Sequence, residues 1–257
     1  MTPQESWIAF VALFRSVAER FIRIWTQTLL PPVVTMVLYF VIFGTLVGSQ
    51  LKSIGDFSYM QYITPGLIMM SIVTSAYSDT VSSFYLLRFQ KSVNELVVSP
   101  MSNISILLGF VLGGTLRGLI VGTLVLGVSL FFAHLELHHA VLMFATAFIA
   151  AMLFSLLGFL NSIFARNFDD ISIVPTFVLT PLTYLGGVFY SIQMLPPFWQ
   201  KLSYLNPILY IVNALRYSLL GIADIAVYYG LSLMVVLVLI LFFVNLRLLN
   251  KGVGIRT

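Results

Sequence analysis

Cysteine is absent from the 257 residues, which excludes disulfides, thiol nucleophiles and thiolate metal sites. Charge is scarce as well: Asp, Glu, Lys and Arg make up 9% of the chain, against roughly 25% in an ordinary soluble domain. Thirteen basic and nine acidic side chains cannot build a water-facing surface for a chain this long, so a soluble enzyme, a nucleic-acid binder and a disordered chain are all excluded. The G-x-x-x-x-G-K-[ST] loop that cradles nucleotide phosphates is missing too, so the chain shows no ATP site of that type. What is present is apolar. Hydrophobic residues reach 60% and mean hydropathy is +1.02, which places the chain among integral membrane proteins, as one domain spanning 1–257.

A bilayer core about 30 Å thick takes about 20 apolar helical residues to cross. Segments 24–47, 60–83, 104–133, 140–164 and 226–248 meet this plainly. Another, 172–191, contains Pro175, Pro181, Gly186 and Gly187, which predict a kinked or partly unwound crossing. The stretch 192–222 is apolar but is opened by Pro196 and Pro197 and broken at Asn206-Pro207, leaving pieces too short to span. Irregular backbone at membrane depth survives only inside protein or along a cavity, so this stretch reads as a re-entrant hairpin. A seventh crossing is the competing reading. The expected fold class is an all-α membrane protein with six transmembrane helices, an amino-terminal interfacial helix, a cytoplasmic coupling helix (84–101) and an extracytoplasmic re-entrant helical hairpin.

With six crossings, Arg15, Arg20, Arg23, Arg88, Lys91, Arg166, Arg247, Lys251 and Arg256 lie on the side of the termini, and Lys52, Lys201 and Arg216 lie opposite. The net charge of +4 is thus read as the positive-inside pattern, with both termini cytoplasmic. Residues 1–23 are not a signal peptide, because Arg15, Glu19, Arg20 and Arg23 interrupt the apolar run. Trp7, Phe10, Val11, Phe14, Ala18, Phe21, Ile22 and Trp25 recur at helical spacing, the pattern of an amphipathic helix lying in the interface.

Few residues could carry chemistry. Arg117 lies inside the third crossing and Asp79 near the cytoplasmic half of the second, a poor proton relay; Arg117 is expected to pair with a carbonyl or an acid within the bundle. Gly109, Gly113, Gly114, Gly118 and Gly122 give overlapping G-x-x-x-G spacings, read as close packing within the subunit, with a dimer face as the other reading. His134, Glu136, His138 and His139 share a loop but lack H-E-x-x-H spacing, so no metal site is expected there. No catalytic triad or paired-carboxylate arrangement stands at a common depth, and no enzymatic activity or resident cofactor is expected on this chain. Nor is there an internal repeat, a feature frequent in secondary transporters.

The first long cytoplasmic connection, from Phe84 to Pro100, is amphipathic. Arg88, Lys91, Ser92 and Glu95 form one stripe, Phe89, Val93, Leu96 and Val97 another, and Pro100 ends it. It reads either as a membrane-parallel connector or as a docking element for a cytoplasmic partner.

The run from Phe168 to Pro207 carries the most specific resemblance. Its prolines, Gly186-Gly187 with Phe189, Leu195-Pro196 and Asn206-Pro207 resemble the signature of the ABC-2 family of ABC transporter permeases. Glu95-Leu96-Val97-Val98-Ser99-Pro100 resembles the end of that family's coupling helix, and residues 1–23 its connecting helix. The resemblance covers essentially the whole chain and implies a permease of the bacterial inner membrane. It also implies pairing with a second copy of itself in the lipid bilayer and coupling to two copies of a separate ABC ATPase, which would bind the Mg-ATP; no nucleic-acid partner is implied. It places the pathway between two first and two fifth crossings, making Phe177, Thr180, Thr183, Tyr184 and Phe189 lining or gate residues. Arg88, Lys91, Ser92, Glu95, Leu96 and Pro100 would be the coupling residues. Apolar, aromatic and hydroxyl groups without a charge ring suit an amphipathic, lipid-linked or glycan substrate, with export as the implied direction. A secondary carrier or channel not coupled to ATP is the alternative.

Overall fold

The computed structural model describes residues 3–44, 48, 53–54, 57–90, 92 and 101–254. Helix α1 (Pro3–Arg23) leads through a turn at Ile24 into α2, which runs Trp25–Ile42 with one break at Leu29. Ser53–Ile54 and Phe57–Ser58 form a two-residue antiparallel ladder, pairing Ser53 with Ser58 and Ile54 with Phe57. Then come α3 (Tyr59–Phe89), α4 (Asn103–Ser129) and α5 (Ala140–Phe164). Among the described residues, four helices are long and apolar enough to cross a membrane: α2, α4, α5 and the last helix, α9 (Val227–Asn250).

The longest helix, α3, is not among the four because it is rich in Ser, Thr and Tyr. Its position explains this. At 31 residues, about 46 Å, it forms the axis of the bundle, with most of its residues buried against α4, α5 and α8 (Pro207–Leu220). Several of its hydroxyls bond back to the helix's own carbonyls: Ser71 donates to Leu67 at 2.8 Å, Thr80 to Ala76 at 3.1 Å and Ser83 to Asp79 at 2.6 Å, whereas the buried Ser75 hydroxyl has no partner. Ser58 and Gln61 start the helix with a reciprocal capping box.

Glycine lets α4 and α5 press onto this axis. A Cβ on Gly118 would lie 2.8 Å from the Ala76 Cβ and 3.0 Å from the Ile72 carbonyl oxygen, and one on Gly158 would lie 2.6 Å from the Tyr77 carbonyl oxygen. The neighbouring face of α4 receives α1: a Cβ on Gly109 would sit 2.7 Å from Leu13. The glycine stripe is therefore occupied by packing within the chain.

The chain from Phe168 to Leu185 forms one helical rod, α6, built from an α-helical start (Phe168–Val174), a π turn (Pro175–Leu179) and an α-helical end (Thr180–Leu185). Pro175 and Pro181 lack amide donors, and the widened turn absorbs the lost ladder bonds without unwinding. The sequence places the end of this element at 191; the helix instead stops at Leu185, because Gly186 leaves helical geometry and Gly187 takes φ +69°. Two short helices follow, α7 (Pro197–Ser203) and α8. Asn206 separates them, accepting from the Ile208 amide at 2.9 Å and donating to the Leu182 carbonyl at 2.5 Å. The 14 residues of α8 rise about 21 Å, short of a bilayer core.

One further sequence expectation changes. No glycine or proline lies between Leu67 and Phe89, so α3 continues through Phe84, which is fully buried with its ring centroid 4.4 Å from Phe159; a separate helix beginning at 84 is not formed. Lys91, Glu95, Leu96 and Pro100 of that expected coupling element lie outside the described residues. On α1, Val17, Ala18 and Phe21 are buried, while Trp7, Val11 and Ile22 of the apolar stripe are exposed, as is Trp25 at the start of α2.

Candidate functional site

Where α2 and α6 end, four aromatic rings gather. Tyr39 and Phe43, one turn apart, stack with centroids 5.8 Å apart. Phe189 lies against Phe43 at 4.9 Å, Tyr39 at 5.9 Å and Tyr184 at 5.8 Å. The Tyr59 hydroxyl donates to the Phe189 carbonyl at 3.2 Å, which fixes the turn to the head of α3. Below this ensemble, Phe177, Thr180 and Tyr184 follow one another along the outward face of α6, with Phe177 73% exposed. Thr183 faces inward, buried, with its hydroxyl on the Leu179 carbonyl at 2.7 Å. The five expected lining residues thus divide into an exposed face (Phe177, Thr180, Tyr184), a half-buried plug (Phe189) and a packing residue (Thr183). The sequence reading missed Tyr39 and Phe43; an aromatic pair four residues apart at the end of an apolar helix is the signal that could have found them.

Behind the plug lies a buried junction. Arg216 on α8 is 1% exposed. It donates to the Gly187 carbonyl at 2.6 Å and the Tyr62 carbonyl at 3.4 Å, and lies 4.0 Å over the Tyr62 ring. Its carboxylate partner is Asp224 at 3.9 Å, which also accepts from Tyr62 and Ser191, each at 3.5 Å. Asn213 holds the same turn, accepting from the Asp224 amide at 2.7 Å. The sequence counts Arg216 only by its side of the membrane; the fold buries it against Tyr62 and Gly187.

At the other end of α3, Asp79 is fully buried between two arginines. Its Oδ1 accepts from Arg20 of α1 at 3.1 Å and from Arg117 of α4 at 3.2 Å. Arg117 also donates to the Thr28 carbonyl at 3.0 Å, and Arg20 also donates to the Ser83 hydroxyl. The expected partner of Arg117, a carbonyl or an acid within the bundle, is therefore both. Nearby, Arg88 donates to the carbonyls of Ser162 and Ala165, the latter at 3.2 Å, where a cation meets the carbonyl end of α5. Arg88 is thus partly engaged within the chain, and Ser92 sits in a turn just beyond.

The combination of apolar crossing helices, an aromatic face on a proline-interrupted helix and a broken hairpin can be compared with known proteins. Residues 8–220 match the family model described as "ABC-2 type transporter". The chain belongs to the ABC-2 family. It is similar to the "Inner membrane transport permease YadH" of Escherichia coli (strain K12), 50% identical over 251 residues, 98% of each chain. It is also similar to "Nodulation protein J" of Neorhizobium galegae, 23% identical over 246 residues covering 94% and 93% of the two chains. Nodulation protein J of Rhizobium leguminosarum bv. viciae is 23% identical over 221 residues, 84% and 83% of the chains.

As an ABC-2 permease the chain is a multi-helix membrane protein of transport, and its loops serve the bundle. His138 and His139 donate their amides to the Ser218 carbonyl at 3.1 and 2.9 Å, and their rings pack around Tyr217, tying the α4–α5 connection to the end of α8. An apolar cavity of about 130 Å³ lies among α3, α4, α5 and α8, with Thr123 as the one polar side chain in its lining.

Proposed function

We propose that this chain is the transmembrane subunit of an ATP-driven exporter in the bacterial inner membrane, working as a homodimer on two copies of a separate ABC ATPase. In this reading α2, α3, α4, α5, α6 and α9 are the six crossings. Helix α1 lies in the cytoplasmic interface, and the unit of α7 and α8 enters from the outside and returns. Both termini are cytoplasmic.

The observation that carries the proposal is the outward aromatic and hydroxyl face Phe177, Thr180 and Tyr184, continuous with the ring ensemble of Tyr39, Phe43 and Phe189. That face is uncovered by the subunit itself and has no charged side chain among those residues, which suits an amphipathic, lipid-linked or glycan substrate that slides over rings and hydroxyls. Two such faces opposed across a dimer axis make a pathway with an aromatic constriction at its outer end. ATP binding would draw the ATPases together and rock the two bundles as rigid bodies through α1 and the connection after Phe89, where Lys91, Ser92, Glu95, Leu96 and Pro100 follow Arg88. The alternative of a proton- or ion-coupled carrier needs a carboxylate free to exchange its counter-ion; Asp79, pinned by Arg20 and Arg117, is poorly suited to that.

The absence of native cysteine makes the test clean. Phe177→Cys is expected to form a dimer cross-link in membranes with a short bis-maleimide, whereas Phe243→Cys on the outward face of α9 is expected to remain monomeric. In the same background, Lys201→Cys should react with an impermeant maleimide from outside and Lys251→Cys only after the cells are opened. A cross-link through Phe243→Cys alone, or external labelling of Lys251→Cys, would overturn the arrangement.

A further inference from the structure

The buried junction around Arg216 sits between two parts that the transport cycle must move. On one side is α8, half of the broken hairpin. On the other is the turn Gly187–Val188–Phe189, which carries the plug ring. Three contacts hold that turn: the Arg216 guanidinium on the Gly187 carbonyl at 2.6 Å, the Tyr59 hydroxyl on the Phe189 carbonyl at 3.2 Å, and the approach of Val188 to Gly66, where a Cβ would lie 2.8 Å from the Val188 Cα. Tyr59 and Gly66 both belong to α3, the rigid axis. Arg216 alone of the three belongs to the hairpin.

A charge this deep has a cost that packing alone does not explain. Arg216 is the largest fully buried side chain in the structure, and a methionine could fill similar space without bringing charge into an apolar bundle. Its guanidinium spends its donors on backbone carbonyls, Gly187 and Tyr62, and its face on the Tyr62 ring. The counter-charge, Asp224, stands off at 3.9 Å with its side chain 22% exposed, on the turn that leads into α9. Four separate segments thus meet at one cation, and the carboxylate that balances it lies at the rim.

We infer that Arg216 is a positioning residue for the outer constriction: it latches the Gly187 turn to the hairpin, so that Phe189 stays seated on Phe43 and Tyr184 until the hairpin moves. The inference rests on the pathway reading above and deepens it. Hinges and packed junctions with two discrete arrangements are the usual means by which small displacements become gating steps. The Gly187 carbonyl is held by one charge-assisted bond, which can break without unfolding a helix. A pivot at Gly187, where φ is +69° and no Cβ restricts the backbone, would let the ring swing while α6 keeps its end.

The test uses the assembled permease with its ATPase in membranes and reads the labelling rate of Tyr39→Cys by an impermeant maleimide from outside. In the otherwise unchanged chain the rate is expected to be low at rest and to rise during ATP turnover. Arg216→Lys keeps the charge but loses the fork, so one ammonium cannot serve Gly187, Tyr62 and Asp224 together. It is expected to raise the resting rate about tenfold, the shift given by about 1.4 kcal/mol. Asp224→Asn, at the rim, keeps the side chain's shape while removing its charge, and should raise the rate severalfold in the same direction. Val111→Cys, buried in the bundle away from the plug, is the control and should stay unlabelled in every background. Equal gains at Tyr39→Cys and Val111→Cys would mean a loosened bundle and would overturn the latch. A turnover-dependent rise at Tyr39→Cys that neither variant alters would also overturn the latch, while leaving the pathway reading intact. No rise during turnover in any background would overturn the pathway reading itself.

Discussion

Asp79→Ala is expected to destabilise the purified chain by about 3–5 kcal/mol, the cost of removing one partner from a buried ion pair. For a chain of this size that is a fall in Tm of roughly 10 °C in mild detergent. Asp79 is fully buried and serves two guanidiniums, so its loss leaves Arg117 inside the bundle and Arg20 at its edge without a counter-charge. The pairs also join three elements: Arg20 on α1, Asp79 on α3, and Arg117 on α4, which reaches on to Thr28 at the start of α2. The damage should therefore appear first as a detached α1, read as faster proteolysis after Arg15 or Arg23. Arg20→Gln, at a side chain one-third exposed, should cost clearly less. An unchanged Tm for Asp79→Ala would contradict the claim that this carboxylate holds the elements together.

Gly158→Ala and Gly127→Ala make the second contrast. At Gly158 the new methyl would meet the Tyr77 carbonyl oxygen at 2.6 Å, backbone against backbone with no flexible group to yield. The expected cost is about 1–3 kcal/mol from forced separation of α5 and α3. At Gly127 nothing lies within 4 Å, so the same change should be neutral or add up to about 1 kcal/mol through helix propensity. Thermal unfolding of the two variants side by side measures the difference. Equal behaviour would mean that the close approach of α5 to the axis is not required.

These two contrasts also mark how far the sequence can be read. Ala140–Phe164 coincides with the segment drawn from hydropathy, because no charged residue interrupts the mainly apolar run from a polar His-rich loop to Arg166. The irregular helix α6 and the break at Asn206 were legible for a related reason: proline and glycine act locally, through a missing donor or a missing Cβ. The end of α3 was not legible. Arg88 at the foot of an apolar run looks like the edge of a membrane, but its guanidinium turns to the carbonyl end of α5, and the helix continues. The charge clusters were out of reach for a different reason. Asp79 pairs with Arg20 across 59 positions and with Arg117 across 38, and only the fold brings them together. The sequence pattern of α1 shows an apolar stripe but not which part of the helix packs on the bundle; Gly109 and Gly113 of α4 receive Leu13 and Val17. Among the residues proposed to line the pathway, Phe177, Thr180 and Tyr184 follow from the family resemblance of their segment, whereas the aromatic pair Tyr39 and Phe43 joins Phe189 only because the ends of α2 and α6 meet.

The central claim is that this ABC-2 permease is driven by an ATPase it does not contain. Gentle purification of the tagged chain from its native membranes, with identification and quantification of what accompanies it, tests this most directly. The account predicts a soluble ABC ATPase at one copy per permease chain, retained when nucleotide is present. A permease that purifies folded but without any ATPase, with and without nucleotide, would contradict it and return the chain to the carrier or channel reading.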